Sequence, residues 1–415
     1  MAGRIPAVTG QERAPYCANS GGTTDNLFAL SQSAQGVFVS WEPDRKPEEW
    51  MKRIKIKQGA PPGAPPAAAS GPSARDPALD AVRALAIVLV VMTHAASPGF
   101  SFPIGSGNWW GAMAWGTLAR ASVPLFFMCS GALMLGRDIP LRRLYGHNMV
   151  RLVAAMYVWA LFYRVYHLAT PGGAGLSLTS LVDAVKHTLV LHHEFHFYFL
   201  HIMLLVYICL PVVRAFLRSA SRREVEYALL VWFVTGILFP VLKDVWPFSL
   251  VSPISGWYLL PAAYSSIGYT MLGWYLRQYG GIARRWYLLS LACGAAFTFV
   301  SCSLLSLKYG VLAENLLSGW SPGPMLMSVG WFGLLLKVRV WPSRLRRGTG
   351  WLSRASFCIY LVHVCFLSLL RAVGITAGAG LTWLTIPGVT VLLLALSGLV
   401  YAVLCRIPVV KTYLI

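Results

Sequence analysis

Read for hydropathy alone, residues 78–405 alternate long apolar runs with short polar connections, whereas residues 1–77 contain no apolar run of membrane length. Ten runs are long enough to cross about 30 Å of hydrocarbon as helices. They lie near 78–96, 114–135, 150–168, 195–213, 225–242, 255–276, 286–307, 320–336, 353–370 and 383–404. The pattern predicts an all-α, polytopic integral membrane protein of about ten transmembrane helices. Residues 1–77 are a different material. Their segment 59–74, GAPPGAPPAAASGPSA, is a Pro/Gly/Ala-rich linker, and the whole stretch is expected to be a disordered tail. Residues 406–415 form a short C-terminal segment after the last span.

Charge adds an orientation. The connections 136–151, 214–224, 277–285, 337–354 and 405–415 hold nineteen Lys and Arg residues, and the alternate connections hold four. Because positive loops stay on the cytoplasmic side, both termini are expected in the cytoplasm. The formal charge of +20 then belongs to loops at one membrane face, where it meets anionic lipid, and no nucleic-acid partner is expected. A hydrophobic share of 56% against 12% charged residues excludes a water-soluble domain. The eight cysteines have neither metal-binding nor redox spacing; six fall within the predicted spans and a seventh, Cys405, at the end of the last one, where a thiol acts as a small apolar group.

The first run, ALDAVRALAIVLVVMTH (78–94), contradicts its own hydropathy by carrying Asp80, Arg83 and His94. A charged side chain at the centre of a membrane helix costs about 2.5–3.5 kcal/mol on insertion scales. His94 follows Arg83 by eleven residues. In a helix this separation leaves about 20° of azimuth and about 16 Å of rise. Asp80 lies about 60° away on the same side, and its spacing from Arg83 allows an i, i+3 pair. The three share one stripe, expected to face the bundle interior or a cavity. Two readings of the stripe stay open: an interfacial ion pair with a helix-end histidine, or a site that meets reactants from both sides of the membrane.

Other polar residues fall at matching depths. The segment HHEFHFYFLH places His192, His193, Glu194 and His196 at the outer surface near His94, and SFCIYLVH carries His363 in the outer half of its helix. Arg120 and Arg164 stand near the outer ends of the second and third spans. Ser130 and Gly131 permit close helix approach. Although His192, His193 and His196 have helical spacing, the HExxH pattern is absent, and no metal site is expected.

Four segments together resemble the integral-membrane acyltransferase family 3. LDAVRALAIVLVVMTH is similar to the family's first span through Asp80, Arg83 and His94. SVPLFFMCSGALML resembles its second-span pattern through Val123, Pro124, Phe126, Phe127, Ser130 and Gly131. HFYFLHIMLLVYICLPVV resembles a later segment, with Tyr198 where Trp is usual, and SFCIYLVH resembles the late motif through Ser356, Ile359, Tyr360 and His363. At the start of the third span only Arg151 matches, with Asn148 where the family often has Arg. The resemblance is closest in kind to the branch that O-acetylates surface polysaccharides such as enterobacterial common antigen.

The resemblance implies a multi-pass protein of the bacterial inner membrane. It implies transfer of an acyl group, acetyl above all, from a cytoplasmic acyl-CoA to a hydroxyl of a cell-surface glycan or lipid-linked sugar. No permanently bound cofactor is expected, and the oligomeric state is left open. In this reading His94 is the general base, since an imidazole titrates near neutral pH. Arg83, paired with Asp80, binds donor phosphates, for which a guanidinium is matched. Arg151 and the 137–143 loop extend that positive surface. Ser130, His196, His363 and Arg120 are candidate substrate contacts. The competing reading is a glycan or lipid transporter that uses the stripe as a path. The topology has a direct check: a reporter fused after Ile415 should be active only as a cytoplasmic reporter, and one inserted near Gly173 only as an external one. The reverse pattern would overturn the assignment of sides.

Overall fold

The computed structural model describes residues 75–170, 173, 175–190, 194–243, 248–251 and 256–415. Residues 1–74, which include Cys17 and the linker, lie outside the described residues, as do His192 and His193. Among the described residues every regular element is helical. The principal helices are α1 (Pro77–Ala96), α2 (Gly107–Ala119), α3 (Ser122–Met134), α4 (Val150–Ala169), α5 (Leu178–Leu189), α6 (Tyr198–Ser219) and α7 (Arg222–Phe233). They continue with α8 (Ala262–Tyr279), α9 (Arg284–Tyr309), α10 (Pro322–Leu336), α11 (Ser343–Ala372), α12 (Thr382–Leu404) and α13 (Pro408–Tyr413).

Each of the ten apolar runs is helical over most of its length among the described residues. Among the described residues, eight helical segments are long and apolar enough to cross a membrane. The other two are α8 and α10, for different reasons. With 15 residues, α10 spans only about 22 Å at 1.5 Å per residue. Although α8 reaches 18 residues, it buries Ser265, Ser266, Tyr269 and Thr270 against neighbouring helices, so it trades hydropathy for internal packing.

The second run, expected as one helix over 114–135, starts earlier and is broken. The backbone turns at Arg120 and Ala121 between α2 and α3. Pro124 explains the position: its ring lacks an N–H and collides with the carbonyl four residues earlier, that of Arg120. The helix restarts once Leu125 can donate to the Ala121 carbonyl, at 3.1 Å.

The core is arranged around α1. It packs against α2, α3, α10, α11 and α12, and apolar residues all around its circumference are buried. A helix that is apolar on every side belongs in the middle of a membrane bundle. Its start is well specified: Asp76 caps it by accepting a hydrogen bond from the Ala78 N–H at 2.9 Å, with Pro77 at the first position. By contrast α4 and α9 leave much of their apolar surface outward, as lipid-facing helices do.

Close contact between α3 and α8 is made by two glycines. A Cβ at Gly131 would lie 1.8 Å from the Thr270 carbonyl oxygen, and one at Gly273 would lie 2.0 Å from that of Met128. Small residues of this kind let helix backbones touch in a bilayer, where lipid tails supply no hydrophobic drive. The obstructing atoms belong to backbone and cannot rotate away. Gly131→Ala should therefore cost about 1–3 kcal/mol of stability, read as a lower unfolding temperature in detergent. Gly146→Ala, where nothing lies within 4 Å, should be neutral or slightly stabilising. Equal behaviour of the two variants would show that the α3–α8 contact is not tight.

Candidate active site at the two ends of the central helix

At the start of α1 the structure corrects one expected contact. Asp80 does not pair with Arg83. Its carboxylate is held by Arg75, with Nη2 at 2.9 Å from Oδ1 and Nε at 3.1 Å from Oδ2. Ser353 of α11 donates a further hydrogen bond to Oδ1 at 2.8 Å. The fork of a guanidinium matches both carboxylate oxygens at once, which a side chain one turn along the same helix cannot easily do. A second ion pair, Arg277 to the capping Asp76 at 2.9 Å, ties the end of α8 to the same corner. Asp80 is thus a structural clasp between the α1 entry and α11.

Arg83 is left available by this arrangement. Its guanidinium hydrogen-bonds the Cys129 thiol of α3 and lies in electrostatic range of Tyr207 and Arg151. The Arg151 guanidinium stacks over the Phe357 ring, with Cζ 5.5 Å from its centroid, and donates to the Ile415 carbonyl oxygen. Trp159 likewise donates to the Leu414 carbonyl at 3.2 Å, so the residues after α13 pack against α4 beside Arg151. Arg83, a guanidinium with no carboxylate partner among the described residues, makes this end of α1 receptive to anions, and Arg151, held by the Ile415 oxygen, adds positive charge beside it. The Ser130 hydroxyl donates to the Phe126 carbonyl of its own helix at 2.9 Å.

Between Arg83 and His94 the shared face of α1 is closed. Ile87 and Val91 are fully buried and Val90 is 5% exposed, while Asp80, Arg83 and His94 are each half-buried. The polar stripe is two half-buried polar ends with an apolar layer between them.

At the far end three histidines come together from three helices or their approaches. The rings of His94 and His363 are 5.1 Å apart, and those of His363 and His196 are 5.6 Å apart, centroid to centroid. Phe195 closes on His94 edge-on at 5.4 Å. The His363 Nδ1 lies 2.8 Å from the Tyr360 carbonyl and 3.1 Å from that of Ile359. Both partners only accept, so Nδ1 carries the proton. Its Nε2 therefore presents a lone pair, and it is buried with no hydrogen-bond partner.

His196 does not sit at the outer surface. It is 1% exposed, because a 3₁₀ turn at Phe195–Phe197 rotates the ring inward beside Tyr163 and Tyr360, at 5.5 and 5.6 Å. Tyr360 also donates its hydroxyl to the His196 carbonyl. The neighbouring Glu194 pairs with His167 at the end of α4, at 2.7 Å. Among the described residues no group of three His, Cys, Asp or Glu is placed to hold a metal ion. Arg120, at the break between α2 and α3, lies in electrostatic range of His94, as does Arg371 at the end of α11.

Sequence spacing alone did not find several of these partners. Arg75 falls before the first apolar run, within the expected disordered tail of residues 1–77, although the Asp76–Pro77 pair marks a helix start one residue later. Ser353, Tyr163 and Phe195 carry no local signal, since their roles come from contacts made by distant segments.

A family model described as an acyltransferase domain matches residues 76–402, from the cap of α1 into α12. No curated protein and no solved structure matches the chain. The match covers both polar ends of α1 and nearly every membrane helix, and the chain belongs to the acyltransferase 3 family, as a polytopic membrane acyltransferase.

Proposed function

We propose that this acyltransferase moves an acetyl group from a cytoplasmic acetyl-CoA to a hydroxyl of a surface glycan or lipid-linked sugar. In this reading the chain is a multi-pass protein of the bacterial inner membrane. The observation that carries the reading is the division of labour along α1: a guanidinium without a carboxylate partner at the Arg83 end, and a histidine pair with an open nitrogen about 16 Å away. Acyl transfer to an alcohol needs both. The donor brings phosphates, for which Arg83 and Arg151 offer paired planar donors. The acceptor hydroxyl is a weak nucleophile until a base removes its proton in the transition state.

His94 is assigned as that base. Its ring is half-buried, whereas His363 is fully buried behind it, so an acceptor entering from that side meets His94 first. The fixed Nδ1–H of His363 keeps its Nε2 as an acceptor, suited to orient His94 or to share its proton. Reaching His94 from the Arg83 end requires the apolar layer of Ile87, Val90 and Val91 to part for the slender arm of the donor. Asp80 acts indirectly, by holding α1 against α11.

Two experiments test this reading. In a deletion strain carrying His94→Ala, mass spectrometry of surface glycans should show acyl transfer reduced by about 10²–10⁴-fold, the range for loss of a general base. The purified variant should still bind acetyl-CoA within about twofold of wild type, because the phosphates meet the other end of α1. Substantial residual transfer would remove His94 from catalysis, and loss of binding together with transfer would put the donor beside it. For Arg83→Lys the charge survives but the planar fork is lost. Its apparent KM for acetyl-CoA should rise several-fold with little change for the acceptor. Kinetics indistinguishable from wild type would reduce Arg83 to a topology-setting charge.

A further inference from the structure

Arg120 occupies an unusual place. It lies where Pro124 breaks the second span, so its side chain leaves from a turn between two helices instead of from a helix flank. The break is docked on α1: the Thr93 hydroxyl lies 2.9 Å from the Leu89 carbonyl and 3.3 Å from the Ala119 carbonyl. The residue before Arg120 is therefore held against the residue before His94. Arg120 is half-buried, and its Nε is fully buried without a hydrogen-bond partner. Among the described residues it forms no ion pair, although Glu314 and Tyr198 stand in electrostatic range. A position at the end of α2 is favourable for a cation, through the helix dipole, by about 0.3–1 kcal/mol. That is small beside the several kcal/mol that an unpaired buried charge costs.

We infer that the missing anion is formed in the reaction itself, and that Arg120 stabilises the oxyanion of acyl transfer. This rests on the acyl-CoA reading above. The acceptor oxygen adds to the thioester carbonyl carbon as its proton passes to His94. The carbonyl π electrons move onto oxygen, which then carries the negative charge and faces the Arg120 guanidinium. When the C=O re-forms, the C–S bond breaks, and the departing CoA thiolate takes the proton from His94. A preorganised cation in a site of low dielectric favours the charged intermediate over the neutral thioester. The α2–α3 turn thus supplies an electrophilic group opposite the base on α1.

The test uses the full chain in lipid nanodiscs and two stable analogues that share the CoA portion. Acetonyl-CoA carries a neutral ketone near the thioester carbonyl position, and carboxymethyl-CoA carries an anionic oxygen there. Wild type should prefer carboxymethyl-CoA by about tenfold, the scale of one charge-assisted hydrogen bond. Arg120→Gln should bring the two affinities within about twofold while leaving that for acetonyl-CoA unchanged, which also shows that the variant is folded. Arg120→Lys should restore part of the preference. A wild-type protein without preference, or an Arg120→Gln variant that keeps it, overturns the assignment; in the second case Arg120 is a helix-end cation or an acceptor contact. Equal loss of both analogues in the variant also overturns it, as a structural effect. If wild type binds neither analogue, the acyl-CoA reading itself fails, and this inference with it.

Discussion

The described helices are arranged around one that must be apolar through its middle and yet carries polar groups at its ends. Hydrocarbon gives no solvation to a charge, so each polar group on α1 needs a protein partner or an opening to water. The structure meets this with two different solutions. Asp80 is neutralised by Arg75 and held by Ser353, while Arg83 and His94 are left half-open on the two sides of a sealed middle. The surrounding helices follow from that constraint: α3, α10, α11 and α12 wrap α1, and helices with less to protect turn their apolar surface outward.

The seal and the polar ends have a common physical origin. Ile87, Val90 and Val91 fill the space between the polar groups with side chains that pack densely and carry nothing to hydrate. A closed layer of this kind keeps water and ions from following the polar stripe across the bilayer. In the proposed reading it also separates binding of the donor phosphates at one end from proton transfer at the other. Such separation suits a transfer between compartments better than a continuous polar channel would.

At the histidine end, backbone carbonyls fix the state of a ring. Tyr360 and Ile359 dictate the tautomer of His363 through their carbonyls, and Tyr360 reaches the His196 carbonyl with its hydroxyl. Tyr163 completes the support by donating to the Leu361 carbonyl at 2.8 Å and accepting from the Cys365 N–H at 3.2 Å. One turn of α11 is therefore tied to α4 and to the entry of α6. A substitution among these tyrosines would disturb ring orientation without touching a reactant.

Helical order, the position of each apolar run and the shared face of Arg83 and His94 were determined by the sequence itself. Each depends on periodicity within one segment, and the 3.6-residue repeat holds wherever that segment sits. The break at Arg120 was equally local in cause, since Pro124 carries it, although an apolar run read by hydropathy passes straight over it. Partner choice was decided only by tertiary structure. Asp80 and Ser353 are separated by 273 residues, and His94, His196 and His363 meet because three distant segments pack together. Whether His196 faced out or in turned on a single 3₁₀ turn. Local spacing sets the depth of a side chain in the membrane, whereas its neighbours at that depth are set by how helices dock, through small residues such as Gly131 and Gly273 whose effect is felt only once two backbones touch.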